Sequence, residues 1–209
     1  MTGASPAAPT PKGHQRRTAL LDAAERILVS SGSAELTMRA VATEAGVRLG
    51  HLQYYFPARS DLLAALLDRV LVASLGRVSG LTDTDDGGID VTSVLDSVLS
   101  DHDDVRLVRL FTEVWSMAAH DESAAAAVRS FYAQYMDRVA EFIRNQSPGL
   151  PDGAVQSRAE VFVMLMEGSA LFRSGVIGSC SSKTDSRLRG VLLGLLGGRA
   201  GRAEGCDES

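Results

Sequence analysis

Residues 39–63 read RAVATEAGVRLGHLQYYFPARSDLL, and the side chains gathered there share one chemistry. Gln53 has the amide that pairs bidentately with adenine, and the imidazole of His51 can donate to or accept from a base edge. Tyr54 and Tyr55 carry hydroxyls suited to phosphate oxygens. Arg59 opens a helix, where free backbone N–H groups add to its charge beside an anion. Gly50 lets a backbone approach a surface closely, at a cost of about 1 kcal/mol in helix propensity. These groups recognise by hydrogen bonding and turn nothing over. Each alone would read as part of a solvated face; as a set in one register they read as contacts to DNA.

The elements that must position them follow from spacing. Leu20, Ala23, Ala24, Ile27 and Leu28 recur at helical intervals and predict a first helix over about 14–31, with Gly32 just past its end. Thr37 is a natural N-cap for a short helix carrying Met38, Val41, Ala42 and Ala45 on one stripe, which Gly46 ends. A third helix, about 48–56, stops at Pro57. On its wheel Leu52 and Phe56 fall on the core side, while Gly50 and Tyr54 point away, flanked by His51 and Gln53. Tyr55 borders the core face and fits either role. Two short helices joined by a tight turn and braced by a third form a helix-turn-helix, whose second helix enters a groove about 12 Å wide.

Charge supports this division. Residues 1–61 hold seven Lys/Arg against five acidic residues, while the whole chain of 209 residues has a net charge of −5. One mildly basic end on an acidic body is expected when only that end meets phosphate. Arg16 and Arg17 could reach phosphate or the minor groove, or simply mark a solvated helix start.

Other chemistries lack support. Cys180 and Cys206 have no metal-ligand spacing and imply no disulfide framework. No Gly-rich phosphate loop follows a strand, and GSCSS lacks the strand–turn–helix setting of a nucleophile elbow. No catalytic residue, metal or cofactor is expected. The N-terminus has no apolar signal-peptide core and no apolar run reaches bilayer length, so the expected location is the cytoplasm, without membrane contact.

The stretch from about Ala19 to Leu63 resembles the N-terminal domain of the TetR/AcrR family of transcriptional regulators. The matching residues are Ala23-Ala24, Gly32, Leu36-Thr37-Met38-Arg39, Val41-Ala42, Ala45-Gly46-Val47, Leu52, Tyr55-Phe56, Arg59 and Leu62-Leu63. The resemblance implies a homodimeric, usually ligand-responsive repressor reading a near-palindromic operator in double-stranded DNA. It places Arg39 near the major groove, Leu49, Gly50, His51 and Gln53 near bases, and Thr37, Tyr54, Tyr55 and Arg59 near phosphates. Periodicity puts Leu49 nearer the core side, and a thymine-methyl contact at the helix edge satisfies both. The family often has Ser where Arg48 stands, so here an extra charge is available to phosphate or guanine. It usually has Tyr in place of Gln53, and Lys in place of Arg59.

The rest of the chain also reads as helix, giving an all-α protein: an N-terminal three-helix DNA-binding domain and a C-terminal helical ligand-binding and dimerisation bundle. The expected boundaries are a disordered arm over 1–13, the DNA-binding domain over 14–60, the bundle over 61–200 and a disordered tail over 201–209. A fourth helix should cover about 59–80. The linker TDTDDGGID (82–90) precedes helices at about 90–100, 103–119, 122–146, 153–177 and 185–197.

In the bundle Trp115, Met117, Tyr135, Phe162 and Met166 at helical spacing read as core, and some could also line a small-molecule cavity. Arg109, Glu113, His120 and Glu167 are the polar candidates within that apolar setting; His120 also reads as an exposed helix end. Glu167 interrupts VFVMLMEGSALF, where an isolated carboxylate is expensive. It needs a partner on another helix or subunit, or a ligand; Gly168 and Ser169 beside it favour the structural role at a dimer interface. Gly190, Gly194 and Gly198, four apart beside Leu188, Val191, Leu192 and Leu195, predict a two-fold dimer through the last two helices. Two alternatives stand beside this reading: a constitutive DNA-binding regulator whose bundle only dimerises, and a small helical enzyme, for which no acid/base pair is found.

Overall fold

The computed structural model describes residues 11–82 and 90–197, and every element among them is helical. The order is α1 (Pro11–Ser31), a 3₁₀ turn (Ser33–Glu35), α2 (Met38–Glu44), α3 (Leu49–Tyr55), α4 (Arg59–Thr82), α5 (Val91–Asp101), α6 (Val105–His120), α7 (Glu122–Gln146), α8 (Asp152–Arg173) and α9 (Ser182–Leu195). Three boundaries differ from the sequence expectation. Helix α1 starts at Pro11, inside the stretch expected to be disordered, because proline fits a first helical turn, where its missing N–H costs nothing. Helix α8 ends at Arg173 and not at 177: Gly175 turns to φ +77° and the Ile177 N–H closes back on the Leu171 carbonyl. Helix α9 begins at Ser182 because the Ser181 hydroxyl caps it, accepting the Thr184 N–H. The first ten residues of the expected arm, positions 83–89 of the linker, and the tail from Gly198 with Cys206 lie outside the described residues.

The chain divides into two compact units. One holds residues up to Asp68 together with 110–128; the other holds Arg69–Arg109 and the residues from Arg129 on.

In the first unit, local chemistry sets each corner. Gly32 takes φ +85° and its N–H donates to the Ile27 and Leu28 carbonyls, closing α1. The Thr37 hydroxyl accepts the Ala40 N–H at 3.1 Å and opens α2. Helix α2 closes in a Schellman turn: Gly46, at φ +65°, donates to Thr43, and Val47 donates to Ala42. Phe56 is extended, as a residue before proline must be, and Pro57 stops α3. Asp61 then reaches back to the Ala58 N–H at 2.9 Å and starts α4. Leu20, Leu28, Val41, Leu52, Phe56 and Leu63 are among the side chains buried there.

The second unit packs α5, α7, α8 and α9 around Leu95, Leu99, Ile143, Val155, Phe162, Met166 and Leu192. Aspartate caps α5: the Asp90 carboxylate accepts the Thr92 N–H and the Ser93 hydroxyl, which hold it below the usual carboxylate range.

Candidate nucleic-acid interface

The Schellman turn aims α3 so that it divides along its length. Leu52 is fully buried and Phe56 nearly so, while Tyr54 is 80% exposed. Gly50 and Gln53 are exposed with it, and Leu49, His51 and Tyr55 are half-buried along the border. A Cβ added at Gly50 would meet nothing within 4 Å, so the glycine answers no demand inside its own chain. Arg48 is the exposed, extended residue that opens α3, and its side chain makes no cap bond. Thr37 and Arg39 are exposed at the start of α2.

The aromatic groups on this face brace one another edge-to-face. The Tyr54 and Tyr55 rings stand 5.2 Å apart, and the His51 and Tyr55 rings 5.4 Å apart. Helix α1 adds cations behind them. Arg16 Nη1 lies 3.3 Å from His51 Nε2, and the Arg17 guanidinium sits 5.2 Å from the centre of the Phe56 ring. Arg16, Arg48 and His51 rim an open depression of about 440 Å³. Arg26 pairs with Glu44 at 2.8 Å, tying α1 to α2. Arg59 is partly exposed and its Nη2 donates to Asp121 Oδ2 at 3.0 Å. The face thus presents an amide, an imidazole, two phenols and several guanidinium groups on one rigid three-helix frame. That is the donor set for base edges and phosphate oxygens.

Residues 20–66 match the family described as bacterial regulatory proteins, tetR family. The chain carries a TetR-family DNA-binding domain over these residues. A curated relative, an uncharacterized HTH-type transcriptional regulator in the dhlA 5′ region of Xanthobacter autotrophicus, is 28% identical over 134 residues. That match covers 62% of this chain and 66% of the relative, just under two thirds of its length. Among solved structures, a Pseudomonas aeruginosa PAO1 protein assigned as a transcriptional regulator superposes with a TM-score of 0.71 at 20% identity. The match covers 88% of this chain and 92% of that one. The multidrug binding protein EbrR, complexed with imidazole, gives a TM-score of 0.61 at 17% identity, covering 86% and 94%. At such identities these likenesses concern the fold.

The remaining candidates fall in different places. Arg109 and His120 are exposed. The Glu113 carboxylate accepts the Ser33 N–H at 2.7 Å, and a Cβ at Gly32 would lie 3.4 Å from its oxygens, so this acid closes the turn after α1. Trp115 packs near Phe111, their ring centres 6.1 Å apart, and Met117 is buried in the same unit. Tyr135, Phe162 and Met166 belong to the second unit, where Tyr135 and Phe162 line an apolar cavity of about 70 Å³ with Leu71, Val98, Val139 and Phe142. The eight sequence candidates therefore do not share one compact unit.

Glu167 receives a hydrogen bond from the Tyr132 hydroxyl, and burial pushes its carboxyl up to about 7 despite that bond. Burial also raises the Tyr135 phenol, with Glu167 and Asp101 adding to the effect. Among the dimer candidates, Val191 is 54% exposed and Leu188 and Leu195 are half-buried. Leu192 is fully buried in the second unit's own core, a correction to its expected outward place: helical spacing turns it a quarter-turn inward from Val191. Among the described residues no three His, Cys, Asp or Glu group as metal ligands, and no helix is long and apolar enough to cross a membrane.

Proposed function

We propose that this regulator represses transcription as a homodimer on a near-palindromic operator and is released by a small molecule. Each α3 would enter a major groove, the two grooves one turn apart at about 34–36 Å. Arg39, Arg48, Leu49, Gly50, His51 and Gln53 would meet base edges, and Thr37, Tyr54, Tyr55 and Arg59 phosphates. The division of labour proposed is DNA binding by 14–60 and sensing and dimerisation by 61–200. The observation that carries the DNA reading is the split of α3, with Tyr54 outward and Leu52 wholly inward. Selection from random-sequence duplex DNA tests it. The unmodified protein should enrich a palindrome, and Gln53→Ala should shift base preference at one position of each half-site; no enrichment would refute it.

Dimerisation is supported by an apolar stripe on α8. Val161, Met164 and Phe172 are 40, 69 and 45% exposed at spacings of three and eight, with exposed Gly168 between them, and Val191 of α9 is 54% exposed. Such a stripe on a soluble helix favours a partner helix. Met164→Asp with Val191→Asp should give monomers in sedimentation. A monomeric unmodified protein that still binds a palindrome tightly would refute the dimer.

Ligand release is supported by the apolar cavity beside Tyr135 and Phe162 and by the likeness to EbrR, a multidrug binding protein. One observation favours the second reading, a constitutive regulator whose bundle only dimerises: at about 70 Å³ the cavity is well below the usual ligand-pocket range of roughly 300–1,000 Å³. Screening small molecules for loss of the DNA complex separates the two readings.

A further inference from the structure

Asp121 lies in the turn before α7, and its two carboxylate oxygens have separate tasks. Oδ1 accepts the Ser123 N–H at 2.9 Å, the Ala124 N–H at 3.3 Å and the Ser123 hydroxyl at 2.6 Å. Those bonds, with Arg59, hold the acid down at about 2, so it is charged in any physiological setting. Oδ2 is left for the Arg59 guanidinium, 3.0 Å away. The segment bearing Asp121 is itself anchored in this unit, because Glu113 accepts the Ser33 N–H at 2.7 Å. Arg59 thus meets a fixed anion at the same end of α4 where a phosphate would be received.

We infer that Asp121 is an internal stand-in for phosphate: it holds Arg59 in the free regulator and competes with DNA for that guanidinium, weakening the affinity and the salt dependence of DNA binding. This rests on the reading of Arg59 as a phosphate contact. Carboxylate and phosphate oxygens are equivalent anionic acceptors for an arginine fork. Both side chains of the pair are 36% exposed, so the pair is weak enough for DNA to break. Breaking it has an electrostatic consequence. A cation drawn from solvent onto phosphate displaces a condensed counterion, and binding steepens with salt accordingly. A cation whose bared carboxylate stays beside it brings no net charge to the phosphates, and most of that steepening is lost.

Asp121→Asn tests this, since asparagine caps a helix as well as aspartate and carries no charge. Asp121→Ser is a second capping variant, and thermal melting checks that each folds. With a random-sequence duplex and with the duplex selected by the unmodified protein, both variants should bind about two- to five-fold more tightly at low salt. Their log–log salt slopes should steepen by about one per Arg59 contact. Arg59→Ala should weaken binding and flatten the slope, and Asp121→Asn should gain less affinity in that background than alone, only the relief of repulsion remaining. Folded Asp121 variants that bind no more tightly, while Arg59→Ala weakens binding, would overturn the competition and leave Arg59 as a phosphate contact. An Arg59→Ala protein with unchanged affinity and slope would overturn both.

Discussion

The two compact units hold their arginines in opposite ways. In the first, Arg39 and Arg48 are exposed, Arg16 lies beside the His51 imidazole, and Arg59 donates to a half-open carboxylate. In the second, the Arg173 side chain is 9% exposed and is gripped by Asp185 and by Asp103 at 3.0 Å. Arg189 pairs with Asp96 and with Asp185 at 3.0 Å, which holds its guanidinium still more firmly in the charged form. Arg77 pairs with Asp101, whose other oxygen accepts the Ser74 hydroxyl. These arginines of the first unit stand open or half-open, whereas these three of the second are tied to carboxylates of their own fold. A count of charges along the chain could not separate these uses, because burial and not composition makes the difference.

The comparison breaks most sharply at Arg173. Removing one partner of a buried pair leaves the other uncompensated, so Arg173→Ala should cost about 3 kcal/mol, the low end for such a loss because Asp103 is half exposed. Arg26→Ala, which opens the exposed pair with Glu44 in the first unit, should cost under about 1 kcal/mol. Urea melts of the two variants measure the gap; equal losses would erase the contrast.

An acid and a base buried in the second unit sharpen it further. Burial lifts Glu167 from its ordinary 4.5 to about 7, so the unfolded chain gives up this proton more readily than the folded one. Stability should therefore fall as pH rises from about 4.5 to 7, by a total on the order of 3 kcal/mol. Glu167→Gln should abolish that fall and raise the melting temperature at pH 8. Burial lowers His102 to about 4, against the pull of Asp101, so the unfolded chain takes up this proton first and stability should also fall as pH drops from about 6.5 towards 4. His102→Asn should remove that acid limb. The two contributions oppose each other between about pH 4.5 and 6.5, so melting temperatures of each variant against the unmodified protein across pH 4–9 read each one by difference.

Smaller effects belong to the first unit. Gln53→Ala should lose about 1–3 kcal/mol of discrimination at one base and leave stability unchanged, as selection and melting together would show. Thr37→Ala should cost about 1 kcal/mol through its cap on α2, visible as a lower melting temperature.

What could be read from the chain divides along the same line. The faces of α3 were legible because Leu52 and Phe56 repeat with the helix, and the turn at Gly46 because glycine supplies a positive φ. Helix ends set by a single bond, such as Ser181 to Thr184, were misplaced by a few residues. The bonds of Glu113 to Ser33 and of Asp121 to Arg59 join residues 80 and 62 positions apart, which no periodicity reveals. Only the local sign of Asp121 was available: an aspartate before Glu-Ser-Ala has the form of a helix cap. Leu192 was put outward because a row of leucines and valines does not say which member faces its own core.

The turn between α2 and α3 is closed by backbone alone, Gly46 to Thr43 and Val47 to Ala42, and a side chain at Gly46 would touch nothing within 4 Å. The angle at which α3 leaves the frame is therefore written into a few peptide groups and one torsion. The exposed Gly50 and Gln53 of α3 take no part in those bonds. On the proposed reading of α3 they are letters on a fixed mount, and a new operator preference is reached one letter at a time without first disturbing the fold.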